Sequence, residues 1–116
     1  MKLVILDRKT LGNDVELSVF DKFGEVISYD VTKEDETLSR VKDADIVITN
    51  KVLITSEHMN NSKMKLICIT ATGKNNVDLD YAAKKNIEVK NVAGYSSSSV
   101  AQVAFSMIFH FVSKLD

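Results

Sequence analysis

An α/β domain built on a five-stranded parallel sheet is the fold class predicted by this 116-residue sequence. Three observations carry the prediction. Five short runs rich in Val, Ile and Leu recur along the chain, each of strand length and too short for an ordinary helix. Segments with helical spacing or helix-start chemistry stand between them, so strands and helices alternate. Parallel strands need such crossovers, and right-handed crossovers place helices on both faces of the sheet.

Residues 2–6, KLVIL, form the first strand. In residues 15–23 the apolar positions Val15, Leu17, Val19, Phe20 and Phe23 read as helical, and Gly24 stops the segment. EVISY, residues 25–29, is the second strand. Thr32 is read as the cap of a helix reaching about Val41. Glu34, Asp35 and Glu36 fill its first turns, where the macrodipole favours acids. DIVIT (45–49) and KLICIT (65–70) are the third and fourth strands, with a short helical turn over 56–61 between them. Asp78 caps the next helix, which Asn86 ends, and IEVKNV (87–92) is the fifth strand. The serines at 96–99 then cap a long helix to about Lys114.

Strand character sets the order. Residues 3–6, 46–48 and 66–69 are unbroken apolar runs, as expected of strands buried on both faces. The fifth strand sets Ile87, Val89 and Val92 against Glu88 and Lys90, so one of its faces is wetter and it lies at an edge. A flavodoxin-like order, 2-1-3-4-5, satisfies both conditions. In the last helix Gln102, Ser106 and His110 recur every four residues and form one polar stripe on an otherwise apolar cylinder. A surface helix buries a narrower face than this. We therefore expect it to pack against another domain or subunit; the alternative is a helix central to its own domain.

Composition excludes several classes of function. Fifteen basic against sixteen acidic residues leave a net charge of -1, which gives no electrostatic reason for nucleic acid or an anionic membrane as partner. No apolar run approaches the ~20 residues of a membrane span. The single cysteine, Cys68, lies inside an apolar run, has no disulfide partner and no metal-type spacing, and suits a reducing cytoplasm. The N-terminal apolar stretch is too short for a signal peptide.

Ligands of open parallel sheets bind beyond the carboxyl ends of the strands. The loops there are Asp7, Arg8 and Lys9; Asn50 and Lys51; residues 70–76; and residues 91–95. The most informative reads TATGKNNVD. A glycine between strand and helix lets consecutive N–H groups gather around a small anion, with Ala71, Thr72 and Gly73 as donors and Lys51 or Lys74 as added charge. The alternative is an ordinary turn in which Gly73 takes a positive φ. Tyr81 and Lys85 have Y-x-x-x-K spacing but lie on an amphipathic helix without a glycine-rich loop after the first strand. The glycines at 12, 24, 73 and 94 form no G-x-G-x-x-G. A phosphoryl-accepting receiver would need an aspartate where this chain has Asn50. His58 and His110 read as packing or surface residues, and no catalytic or metal-ligating set is present.

The segments ADIVITNKVLIT, LICITATGKNNVDLDYAAKKNIEV and NVAGYSSSSVAQVAFSMIF, spanning residues 44–110, resemble the N-terminal part of the D-isomer-specific 2-hydroxyacid dehydrogenases. They are most similar to the glycerate dehydrogenase/hydroxypyruvate reductase branch. The resemblance implies a flavodoxin-like substrate domain over residues 1–95. It makes residues 96–116 an interdomain helix, with 97–114 forming a homodimer contact and leading to an NAD-binding domain. It implies a small 2-hydroxy or 2-keto acid as substrate, with its carboxylate on the backbone of Thr72 and Gly73. Thr72 would also approach the nicotinamide of NAD, and Lys51, Lys74 and Tyr95 would stand at the substrate cleft. The family's arginine, glutamate and histidine, and its dinucleotide loop, match nothing in residues 1–116, so the chain alone is expected to be inactive. Ala93 and Gln102 replace the proline and glutamate of many members and fit the glycerate branch. A stand-alone module binding small carboxylates is the alternative.

Overall fold

The computed structural model describes residues 1–12, 15–92 and 100–113, with side chains of the last segment described from Phe105. Five strands, β1 (Lys2–Ile5), β2 (Glu25–Ser28), β3 (Ile46–Thr49), β4 (Leu66–Ile69) and β5 (Glu88–Asn91), form one sheet in the order β2-β1-β3-β4-β5. Every pairing is parallel. This is the expected flavodoxin-like order. β3 and β4 are buried at every position, whereas the outer strands β2 and β5 are not.

The two faces separate by residue parity, as a period of two requires. Val4, Leu6, Val47, Ile67 and Ile69 pack under the helices α1 (Thr37–Val41), α2 (Ser56–Asn60) and α3 (Leu79–Lys84), through Val41, Met59 and Ala82. Leu3, Ile5, Ile46, Ile48, Leu66 and Cys68 face the other way and are covered by Phe20 and by Ile108 of α4 (Val100–Ser113).

Helix starts hold where the cap chemistry is local. The Asp78 carboxylate accepts from the Tyr81 N–H at 3.1 Å, and Asn86 ends the segment at φ 60°. At α2, Thr55 Oγ1 accepts from the His58 N–H, and His58 Nδ1 accepts from the Thr55 N–H at 3.0 Å. Two expectations are corrected. Residues 15–23 are not an α-helix: only Ser18–Phe23 coils, as a 3-10 segment. Glu16 accepts from both the N–H and the hydroxyl of Ser18, a local bond that competes with helix propagation. Thr32 is not a cap either. Its hydroxyl donates to the Leu6 carbonyl at 2.6 Å and accepts from Arg40, tying the crossover to the end of β1. A 3-10 turn at Glu34–Glu36 precedes α1 instead.

One side of α4 packs on its own sheet. Ile108 is fully buried, and Phe105, Met107, Phe111 and Val112 are half-buried around it. Ser106 and His110 are exposed, as the polar stripe requires. Phe109 is the exception, at 54% exposure. The Lys22 ammonium stands 4.6 Å from the Phe105 ring centre and 5.6 Å from that of Phe109, a cation–π contact that moderates this exposure. The Gln102 side chain, the helix start and the 95/96 boundary lie outside the described residues. No helix among the described residues is long and apolar enough to cross a membrane.

Buried His58 adds a pH dependence. Burial lowers its pKa, against a smaller opposing pull from Glu57 and then Glu34. The unfolded chain therefore binds a proton more readily than the folded one. The stability this confers is complete above the unfolded value of roughly 6.5 and is lost as pH falls through the lower folded value. His58→Asn keeps an acceptor for the Thr55 N–H but cannot titrate. We expect the melting temperature of the wild type to fall more steeply than that of the variant below about pH 6.5. Parallel pH profiles would refute this.

Candidate substrate cleft at the carboxyl edge

The site lies where β3 and β4 end. The loop after β4 leaves the sheet at Thr70, whose N–H still donates to the Thr49 carbonyl at 2.9 Å. Beyond it the loop is held from two sides. The Asn91 amide donates to the Thr72 carbonyl at 2.7 Å, and the Asn76 amide donates to the Val52 carbonyl at 2.9 Å. The Ile54 N–H donates to the Asn76 carbonyl, and Ile54 pairs with Val77 in a parallel bridge. The carbonyls of Thr72, Lys74 and Asn76 and the Asn76 side chain are thus occupied with holding the loop in place. Its N–H groups are not: from Thr72 through Asn76, none donates to another of the described residues.

Beside these donors lies a cleft of about 390 Å³ lined by Asn50, Lys51, Ala71, Gly73, Asn75 and Asn76. Its lining holds one lysine and three asparagines, next to backbone N–H groups that donate to no other described residue. Among the described residues the Lys51 ammonium pairs with no carboxylate; the ion pair there is Arg40 with Glu36, at 2.9 Å. Backbone N–H groups and a cation brought together in this way can accept a small anion. No group of three or more potential ligands among the described residues could hold a metal ion.

Of the residues expected at the site, Lys51 and Gly73 share the cleft. Thr72 and Lys74 flank Gly73 but do not line it; Thr72 is exposed, and the Lys74 carbonyl accepts from the Val77 N–H. Tyr95 lies outside the described residues. Gly73 needs no left-handed backbone: the glycines with positive φ are Gly12 and Gly24. A β-carbon at Gly73 would stand 3.4 Å from Asn75 Oδ1, an ordinary contact. The alternative in which Gly73 takes a positive φ is therefore excluded. Sequence reasoning located the loops but not the tasks of Asn50, Asn75, Asn76 and Asn91. The adjacent pair Asn75-Asn76 after a glycine was the available signal.

Cys68, on the sheet face away from α1–α3, has its thiol pushed up to about 12 by burial and takes no part in this site.

Fold and cleft define a class: an open parallel α/β domain that presents an anion-sized cleft at the carboxyl edge of its central strands. Residues 4–109 match the family described as D-isomer specific 2-hydroxyacid dehydrogenase, catalytic domain, and the chain belongs to that family. It is 43% identical over 110 residues to a Haemophilus influenzae protein assigned as a 2-hydroxyacid dehydrogenase, covering 94% of this chain and 35% of that one. It is 36% identical over 113 residues to the hydroxypyruvate reductase of Blautia hydrogenotrophica, covering 93% and 35%. Among solved structures, the NAD+-bound 3-phosphoglycerate dehydrogenase of Entamoeba histolytica superposes with a TM-score of 0.64. That match has 28% identity and covers 78% of this chain and 32% of that one. The chain spans about a third of the length of the relatives it matches.

Proposed function

We propose that this chain is the substrate-binding part of an NAD(H)-dependent D-2-hydroxyacid dehydrogenase that reduces hydroxypyruvate or glyoxylate. The observation that carries the reading is the run of N–H groups from Thr72 to Asn76, none of which donates to another described residue, beside the Lys51 cleft. A 2-keto acid offers that run a carboxylate, which accepts several N–H bonds at once. Lys51 adds a counter-charge at the rim. The similarity to hydroxypyruvate reductase supports the choice of acid.

No G-x-G-x-x-G occurs in residues 1–116. β1 runs into Asp7, Arg8, Lys9 and Thr10, with no glycine before Gly12. NAD would supply or accept the hydride at C2 of the acid, held by groups outside this chain. The part played here is to bind the carboxylate and fix the direction of C2, so that positioning is complete before the chemical step. The reading also places the protein in the cytoplasm, and makes the helix over 97–114 a contact in a homodimer.

Amide resonances of the 116-residue chain, followed during titration with hydroxypyruvate, test the assignment. Saturable shifts at Thr72–Asn76 and at Asn50 and Lys51 are expected. Shifts confined to other parts of the sheet would overturn it.

A further inference from the structure

We infer that Asp7 is a positioning residue for the cleft, acting through Lys51; this rests on the substrate-site reading above. Asp7 lies two residues beyond β1 and is 7% exposed, yet it meets no basic side chain among the described residues. Its carboxylate turns instead to the start of the loop after β3. The Lys51 N–H donates to it at 2.8 Å, the Asn50 N–H at 3.0 Å to each oxygen, and the Thr49 hydroxyl at 3.3 Å. The Thr49 hydroxyl in turn accepts from the Val52 N–H at 3.1 Å. The Asp7 backbone is fixed as well, since its carbonyl accepts from both the N–H and the hydroxyl of Thr10.

One buried carboxylate thus gathers the backbone of residues 49–51 at the point where the strand becomes the cleft wall. Bonds from N–H groups to a charged acceptor are short and directional, so they set position as well as energy. The arrangement also separates two tasks of Lys51. Its backbone is held by a negative charge, while its ammonium has no carboxylate partner among the described residues. Had Asp7 paired with the Lys51 side chain, the cleft would have lost its cation. Lys51 also borders a second depression, of about 330 Å³, with Asp7, Lys9, Thr10, Asp30 and Thr32. Without its anchor the lysine has space on that side to leave the substrate.

Asp7→Asn, Lys51→Met and the double variant separate this role from a merely structural one, with hydroxypyruvate as probe and binding read by amide shifts. Failure of the unaltered chain to bind would sink the site reading itself. Given binding, Asp7→Asn and Lys51→Met should each weaken affinity about three- to fivefold, the scale of one exposed charge contact. The double variant should be no weaker than Lys51→Met alone. Additive losses would show that Asp7 does not act through Lys51 and would overturn the inference. Should Asp7→Asn fail to fold, amide exchange in the unaltered chain decides. Protected Asn50 and Lys51 amides support the anchor, and freely exchanging ones overturn it.

Discussion

Ile108→Asp is expected to strip α4 from the sheet and expose a thiol that is otherwise inert. Ile108 is fully buried against the face made by Leu3, Ile5, Ile46, Ile48, Leu66 and Cys68. A carboxylate there has no described partner, and an uncompensated buried charge costs about 3–5 kcal/mol. The helix can avoid that cost by leaving, because no other fully buried side chain among its described residues holds it. The consequence is chemical as well as structural. Burial pushes the Cys68 thiol up to about 12, whereas a free thiol ionises near ~8.5. At neutral pH the thiolate fraction should therefore rise by orders of magnitude once the face is wet. An aromatic disulfide reagent measures this directly. Wild-type Cys68 should react only as fast as the chain opens, and the variant orders of magnitude faster. Unchanged, slow labelling in a folded variant would mean that α4 is not what shields this face.

The same helix shows where sequence reading stops. Its apolarity was legible and correctly demanded burial of more than a narrow face. What supplies that burial was not legible, because hydrophobic contact is non-directional and carries no label for its partner. In the structure Ile108 is buried against the sheet and Phe20, while Phe109 is left exposed. Strand order was readable for the opposite reason: burial on two faces or on one leaves different patterns in the sequence, and the patterns of β3, β4 and β5 differ accordingly. Caps were readable when donor and acceptor lie within one turn, as at Asp78. Thr32 misled because its hydroxyl is claimed by Leu6, 26 residues away. Asp7 and Lys51 are 44 residues apart, so their bond exists only once β1 and β3 are neighbours. The loop carrying Gly73 could be identified from its composition; the groups that fasten it, Asn76 and Asn91, bond to backbone and leave no pairwise signature.

Gly73→Val should separate the cleft from the fold. Gly24 provides the contrast. Its φ is 136°, and a β-carbon there would stand 2.0 Å from the Met1 carbonyl oxygen, so that glycine is required by the backbone. Gly73 has neither constraint: its nearest obstacle is a side-chain oxygen of Asn75 at 3.4 Å, which a rotation relieves. A surface substitution of this kind changes stability by about 0.5 kcal/mol or less. Two added methyl groups would, however, stand in a cleft of about 390 Å³, against the N–H groups of Thr72 to Asn76. They would crowd the anion and deprive those donors of water, which a carboxylate would then have to compensate. Affinity for hydroxypyruvate should fall by about tenfold or more, equivalent to roughly 1.4 kcal/mol, with the melting temperature nearly unchanged. If the variant folds and binds as tightly as the wild type, the acid does not sit on this loop. If it binds more weakly only because it is less stable, the glycine serves the backbone after all. Only weaker binding by an equally stable chain leaves the loop after β4 as the carboxylate site.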